Sequence, residues 1–327
     1  MNVILTTRCN KNCSFCFARR ARQEAKLEDM SLENFCKILS LLKKEKPVSA
    51  IKILGGEPTL HPDFPEIIKH LIKDKIRHTL ISNLLYEEGV RSNIDKAIET
   101  GVMIGVLANA AELNSGSTMT IFKKNYKNIL EKTKGTFITA GITLSREKSL
   151  MDEVQYIDFL AENIDIQKLR ISLDFQEENK KDEFFINNKK QGEKIRVIIH
   201  KCLDLRIPMS WDCKIYPCMF EDNIFTKEIK GFISHLYTGC SIASAPFDVF
   251  PDMSYAHCYP ARRLAGQNIL KFSQISEAKA EIAFLKNVLY SMGKTNLPKI
   301  CYSCEYYKSG ECDSLCLGCR ELTASFV

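Results

Sequence analysis

The chain has 327 residues, 14 of them cysteine, with a net charge of +6, 45% apolar residues and 26% charged ones. That length holds one large or two ordinary domains with buried cores, and the composition is that of a soluble globular protein. No run approaches the ~18 apolar residues of a membrane span, and no basic segment leads into an apolar core and cleavage site, so neither a membrane nor a secretory signal is expected. A cytoplasmic setting is expected, because thiols that serve as metal ligands need a reducing compartment. Lysines are scattered and interrupted by acids, as in Lys43-Lys44-Glu45-Lys46 and Lys180-Lys181-Asp182. Such runs read as solvated helix faces. The basic stripe with interleaved aromatics that would point to a nucleic-acid partner is not seen.

In chain order, Asn2–Leu5 reads as a short strand feeding Cys9, Cys13 and Cys16, spaced C-x3-C-x2-C with Phe15 before the last. A [4Fe–4S] cluster normally takes four cysteines, so three would leave one iron open to a small molecule. The alternative is structural zinc, which wants four ligands, and the next cysteine is Cys36. Ser31 predicts the N-cap of a helix to about Lys44, with Leu32, Phe35, Ile38, Leu41 and Leu42 as its apolar stripe.

Ile51-Lys52-Ile53-Leu54 reads as a buried strand running into Gly55-Gly56-Glu57-Pro58. The glycines allow close backbone approach or positive φ, and Pro58 restricts Glu57 to extended geometry. A carboxylate held beside exposed backbone suits recognition of an ammonium group. Pro62 to Ile72 is predicted helical with Phe64, Ile67, Ile68 and Leu71 inward, and His61 reads as a structural residue at its start. Thr79–Ser82, Val102–Leu107, Phe137–Leu144 and Leu169–Leu173 are further predicted strands with helices between them. Repeated strand–helix units imply an α/β fold with a parallel sheet, whose ligands sit at the carboxyl ends of the strands.

After about residue 190 the pattern changes. A helix near Gly192–Leu205 is followed by irregular sequence with nine cysteines beyond residue 210. This reads as a second module built around metal, with the boundary expected between residues 185 and 210. Cys213 and Cys218 flank Lys-Ile-Tyr-Pro, Cys240 and Cys258 are isolated, and Cys301, Cys304, Cys312, Cys316 and Cys319 crowd the tail. Zinc is the alternative to iron–sulfur there. Cys36 and Cys202 sit on helical apolar faces and read as core thiols.

The cysteine triad with Phe15, together with Gly55-Gly56-Glu57-Pro58, resembles the radical S-adenosylmethionine (SAM) superfamily. The resemblance spans roughly the first 175 residues. It implies a partial (β/α)6 TIM-like barrel over residues 1–200 and a [4Fe–4S] cluster on Cys9, Cys13 and Cys16 whose open iron chelates SAM. An electron passed into the sulfonium then releases a 5′-deoxyadenosyl radical that abstracts hydrogen from a substrate. By the same resemblance Phe15 lies near the adenine, and Gly55, Gly56 and Glu57 meet the methionine amino group. Ser82 and Asn83 at the third strand end, Asn109 at the fourth, and Thr143, Ser145 and Arg146 at the fifth become SAM-contact candidates. Arg146 is suited to a bidentate fork on the SAM carboxylate.

The tail, taken as residues 201–327, resembles the SPASM domain of auxiliary clusters found in peptide-modifying members. Met253 stands where that pattern has Gly, the gap before Cys312 is seven residues, and Cys319 follows without a spacer. The resemblance implies one or two auxiliary [4Fe–4S] clusters. Cys301, Cys304, Cys312 and Cys319 would form an outer set, and Cys240, Cys258 and Cys316, with Cys213 or Cys218, an inner one. The expected function is hydrogen abstraction by a radical SAM oxidoreductase or maturase, from a peptide undergoing oxidation or crosslinking or from a small metabolite. An electron donor such as flavodoxin or ferredoxin, and a separate peptide-recognition protein, are the partners implied. A non-catalytic iron–sulfur electron carrier is the competing class, which has no need of an ammonium site.

Overall fold

The computed structural model describes residues 1–16, 28–113, 116–135, 137–145, 148–174, 181–211, 217–220, 247–258, 266, 268–295, 299–310 and 312. Its strands are β1 (Asn2–Ile4), β2 (Ile51–Leu54), β3 (His78–Ser82), β4 (Met103–Asn109), β5 (Ile138–Leu144), β6 (Leu169–Leu173), β7 (Met209–Trp211), β8 (Asp248–Val249) and β9 (Tyr255–Ala256). Helices α1 (Leu32–Lys43), α2 (Phe64–Lys73), α3 (Glu88–Glu99), α4 (Ser117–Thr133), α5 (Leu150–Asn163) and α6 (Lys181–Asp204) alternate with the first seven strands. The helices α7 (Ile275–Thr295), α8 (Lys299–Ser303) and α9 (Glu305–Lys308) follow β9. Six successive strand–helix units give the mostly parallel α/β architecture expected of a partial (β/α)6 barrel. Among the described residues no helix is long and apolar enough to cross a membrane.

The described chain packs as two units, Met1–Gly141 with Pro246–Ala283, and Ile142–Ala245 with Phe284–Val327. In the first unit the sheet order is β5-β4-β3-β2-β1-β8-β9. Register runs through Val3↔Ile53, Ile53↔Leu80, Leu80↔Val106 and Val106↔Ile138, all parallel. At the far edge β8 pairs β1 in parallel and β9 turns back on β8. Because the strands from β1 to β4 are parallel, the cysteine loop, the Gly-Gly-Glu turn and the residues after β3 and β4 all emerge at the same end of this sheet.

Helix α1 starts where Ser31 accepts the Asn34 N–H at 3.1 Å, satisfying a donor that the helix itself cannot. It buries Phe35, Ile38, Leu39, Leu41 and Leu42, and α2 buries the four residues expected to face inward, Phe64, Ile67, Ile68 and Leu71. Each such side chain stabilises the fold by about 2 kcal/mol relative to exposure. Of the two thiols read as core, Cys202 is fully buried and Cys36 only half-buried.

In the second unit β6 pairs β7 in parallel, Leu169↔Met209 to Ile171↔Trp211, with α5 packed on α6. Ser149 and Asp152 close a reciprocal capping box at the start of α5. Helix α6 begins at Lys181 rather than near Gly192; the helical apolar spacing of Ile195, Ile198, Ile199 and Cys202 marks only its second half, since Phe184, Phe185 and Ile186 are contiguous in sequence. Strands β7, β8 and β9, of two or three residues each, are too short to show alternation in sequence. Residues 200 and 201 lie inside α6, and the pairing of β8 with β1 groups residues 246–283 with the first unit.

Candidate active site

The glycines of the β2 turn are there for close approach. Neither Gly55 nor Gly56 has positive φ. A Cβ on Gly55 would stand 2.6 Å from the Thr6 carbonyl oxygen, and one on Gly56 2.8 Å from that of Thr7 and closer still to that of Arg8. The absence of side chains lets the Gly56 N–H reach Thr6 O at 2.8 Å and the Glu57 N–H reach Arg8 O at 2.6 Å. The parallel ladder is thereby carried past the strand ends, and the chain enters Cys9 from a fixed direction. Thr6 and Arg8 are held in turn by Asp29, which accepts from Thr6 Oγ1 at 2.6 Å and pairs with the Arg8 guanidinium.

Glu57 is fully buried, and its carboxylate is occupied within the protein. Oε1 accepts from Thr59 N, Thr59 Oγ1 and Ser82 Oγ at 3.2, 2.6 and 2.8 Å, and Oε2 from the Asn83 N–H at 2.7 Å. Burial pushes this carboxyl up, and the four donors pull the other way. What the turn offers outward is therefore backbone rather than carboxylate, while Glu57 locks the end of β2 to the end of β3. Asn83, also buried, donates to Asn10 Oδ1 at 2.7 Å and accepts the Leu85 N–H at 2.9 Å. Asn109 ends β4 and is exposed. His61 has its structural role: Nε2 donates to Met30 O at 2.8 Å and Nδ1 accepts the Asp63 N–H at 3.0 Å.

The three thiols of the loop are half-buried and free of disulfides, and Phe15 is half-buried beside them. Cys16 N–H donates to Cys13 O at 3.2 Å and Lys11 N–H to Cys9 Sγ at 3.4 Å. Cys16 also packs against Ile4, Phe250 and Ala256. Burial pushes the Cys13 thiol up to about 11; Lys11 opposes this, and Glu112, Cys16 and Cys9 add to it. The thiols are thus close enough to feel one another, and binding iron here would release protons. Among the described residues no three His, Cys, Asp or Glu side chains converge on a single ion. A cubane spreads its thiolates over separate irons and does not require that convergence. Three half-exposed thiols on one short loop, with an N–H directed at sulfur, suit such a cluster.

Four loop-anchoring residues were missed at the level of sequence: Asn10, Lys11, Ser14 and Glu112. The first three lie between the cysteines and the last sits three residues beyond β4, so position alone could have nominated them.

In the second unit, Thr143 is half-buried near the end of β5 and Ser145 is buried just after it. Ser145 N–H donates to Glu153 Oε1 at 2.8 Å, and its carbonyl accepts from Lys194 Nζ at 2.7 Å. Burial lowers the Lys194 pKa and raises that of Glu153. Arg146 lies outside the described residues, as do Cys213, Cys240, Cys316 and Cys319.

Cys218 is brought together with Cys301, Cys304 and Cys312: burial pushes its thiol up to about 12, and the other three add to the shift in the order Cys312, Cys304, Cys301. The turn carrying Cys218 packs on α6 at Gly192, where a Cβ would run into the Met219 backbone. Cys304 N–H donates to Cys301 O at 3.2 Å, and Cys312 N–H to Tyr306 O at 2.8 Å. Cys218 thus keeps company with members of the expected outer set, whereas Cys258 belongs to the first unit, two residues beyond β9.

Residues 3–137 match the family model of the radical SAM superfamily, and this part of the chain is a radical SAM domain. A 7,8-dihydro-6-hydroxymethylpterin dimethyltransferase of Methanocaldococcus jannaschii is 44% identical over 69 residues, 21% of this chain and 13% of that protein. A probable GTP 3',8-cyclase of Methanococcus maripaludis is 25% identical over 252 residues, 67% of this chain and 84% of the cyclase. Among solved structures, Streptococcus suis SuiB bound to S-adenosylmethionine superposes with a TM-score of 0.53 at 14% identity, covering 80% of this chain and 60% of SuiB. The same fold likeness, at 15% identity, holds for SuiB bound to precursor peptide SuiA. The chain therefore spans less than two thirds of the dimethyltransferase and of SuiB.

Proposed function

We propose that the chain binds a [4Fe–4S] cluster on Cys9, Cys13 and Cys16 together with SAM, and uses them to abstract hydrogen from a peptide, leading to oxidation or crosslinking. The observation that carries this reading is the joining of the cysteine loop to the Gly-Gly-Glu turn through Gly56 N–H to Thr6 O and Glu57 N–H to Arg8 O. When bound, the cluster supplies the electron that splits SAM into methionine and a 5′-deoxyadenosyl radical. The chain's own groups do the holding. Outward backbone at residues 55–57 offers carbonyls to an ammonium, Phe15 offers a face to an adenine, and Asn109 offers a polar contact at the neighbouring strand end. Cys218, Cys301, Cys304 and Cys312 are read as ligands of an auxiliary cluster able to take up the substrate electron. An external flavodoxin or ferredoxin would supply the first electron.

A peptide is favoured by that thiol group in the second unit and by the fold shared with SuiB, which was solved with a precursor peptide. A nucleotide or other small metabolite is the second reading, favoured by similarity to a GTP 3',8-cyclase over most of the cyclase's length.

The test is anaerobic reconstitution and reduction in the presence of SAM. Wild type should form 5′-deoxyadenosine, and Cys13→Ala should not; no cleavage by fully loaded wild type would favour the electron carrier. Peptide and nucleotide pools from deuterated cells, supplied separately, distinguish the substrates. Deuterium appearing in 5′-deoxyadenosine only with the nucleotide pool would overturn the peptide reading.

A further inference from the structure

The segment between Cys9 and Cys16 is tied to the sheet at two places, and one of them turns on a residue that the SAM-contact candidates do not include. Glu112 follows β4 by three residues. Its Oε1 accepts the Ser14 N–H at 3.3 Å and the Ser14 hydroxyl at 2.9 Å. Its backbone carbonyl accepts from Lys11 Nζ at 3.2 Å, and that ammonium also reaches the carbonyl of Ala111. Side chain and main chain of one residue thus grip both gaps of the C-x3-C-x2-C motif.

Glu112 does this from a left-handed backbone, φ 50°, a conformation that disfavours a residue with a Cβ. Its neighbours Ala110, Ala111 and Leu113 are buried, so the surrounding packing imposes the conformation. A strained non-glycine at a strand end beside a metal-binding loop is where a functional constraint is to be sought. Glycine would relieve the strain but would lose the carboxylate.

We propose that Glu112 is the positioning residue of the cysteine loop, holding Ser14 and Lys11 so that the three thiolates keep one arrangement, and that its negative charge beside Cys13 makes the bound cluster harder to reduce. The proposal rests on the radical SAM reading above. The reduction potential of an iron–sulfur cluster responds to nearby charge and to the hydrogen bonds around its sulfurs. A carboxylate next to one ligand disfavours the added electron, while the Lys11 ammonium, held on the Ala111 and Glu112 carbonyls, offsets part of that effect.

Three variants separate anchoring from charge. Glu112→Gln keeps an acceptor for Ser14 and removes the charge. It should load iron and sulfide as wild type does, with its midpoint potential shifted positive in a redox titration followed by electron paramagnetic resonance. Glu112→Ala removes the grip. Its reconstituted cluster should be lost to a chelator about tenfold faster, the factor expected on losing a hydrogen bond to a charged group, and its reduced spectrum should broaden. Ser14→Ala breaks the contact from the loop side, should lie between wild type and Glu112→Ala in chelator loss, and serves if Glu112→Ala does not fold. Wild-type potential in Glu112→Gln, or wild-type chelator resistance in the other two, overturns the proposal. Failure of wild type itself to take up iron overturns the radical SAM reading and this proposal with it.

Discussion

Asn83 donates its side-chain N–H to Asn10 at 2.7 Å, across 73 residues of sequence. This single bond joins the end of β3 to the middle of the cysteine loop, and Asn10 returns a bond to Leu85 O at 3.1 Å. Replacing Asn83 by Ala removes the donor to Asn10 and the acceptor for the Leu85 N–H. The expected cost is about 2 kcal/mol in urea unfolding, with lower iron retention on dilution. Asn109→Ala, exposed at the next strand end, should unfold as wild type does.

Gly56→Ala puts a methyl group against the carbonyl oxygens of Thr7 and Arg8. Backbone cannot yield there without breaking the Glu57 N–H to Arg8 O bond. A loss of about 3 kcal/mol is expected by the usual scale of overpacking, accompanied by reduced cluster loading at Cys9, Cys13 and Cys16. Gly89→Ala, whose Cβ would meet nothing within 4 Å, should be neutral or slightly stabilising in the same urea titration.

Glu57 separates two roles for a carboxylate. Glu57→Gln has the right shape, but its amide presents N–H groups where Thr59, Ser82 and Asn83 already donate. It is expected to lose about 2 kcal/mol of stability, and Glu57→Ala more, since buried donors left unmet cost about 1–3 kcal/mol each. If the carboxylate acted by pairing with the SAM ammonium instead, Glu57→Gln would weaken SAM binding at unchanged stability, which calorimetry and unfolding together resolve.

His78 is buried at the start of β3, with Nδ1–H donated to Ile76 O at 3.1 Å and Nε2 without a partner. Burial disfavours the imidazolium and lowers its pKa to about 4, from 6.5. The unfolded chain therefore binds the proton first as pH falls. Stability is full above pH 6.5 and declines toward pH 4, by about 3 kcal/mol at most from this residue. His78→Gln should flatten the pH dependence of urea unfolding between pH 6.5 and 4.5; an unchanged slope would count against it.

For the second unit, Cys218→Ser should remove about four irons per chain if Cys218 completes a cubane with Cys301, Cys304 and Cys312. Cys36→Ser should remove none. Equal iron in Cys218→Ser and wild type would make Cys218 a structural thiol rather than a ligand.

Much of the candidate site was legible because its signals are local. The spacing of Cys9, Cys13 and Cys16, the Gly55-Gly56-Glu57-Pro58 turn, and the apolar stripes of α1 and α2 each lie within one short segment, and parallel strand–helix alternation places the ends of β1 to β4 together. What a strand end does with its side chains was not legible. Glu57 faces inward because three donors from Thr59 and Ser82 and one N–H from Asn83 surround it, and two of these residues lie about 25 positions away.

The amino-acid pattern is thus enough to define the class of chemistry and the α/β frame, since thiol spacing and apolar period need only neighbours along the chain. Tertiary packing alone decided that β8 completes the first unit beside β1, that Cys218 joins Cys301, Cys304 and Cys312, and that Glu112 grips the cysteine loop. Each of these depends on bringing distant residues to one point, where burial and hydrogen bonding, rather than order in sequence, select the partner.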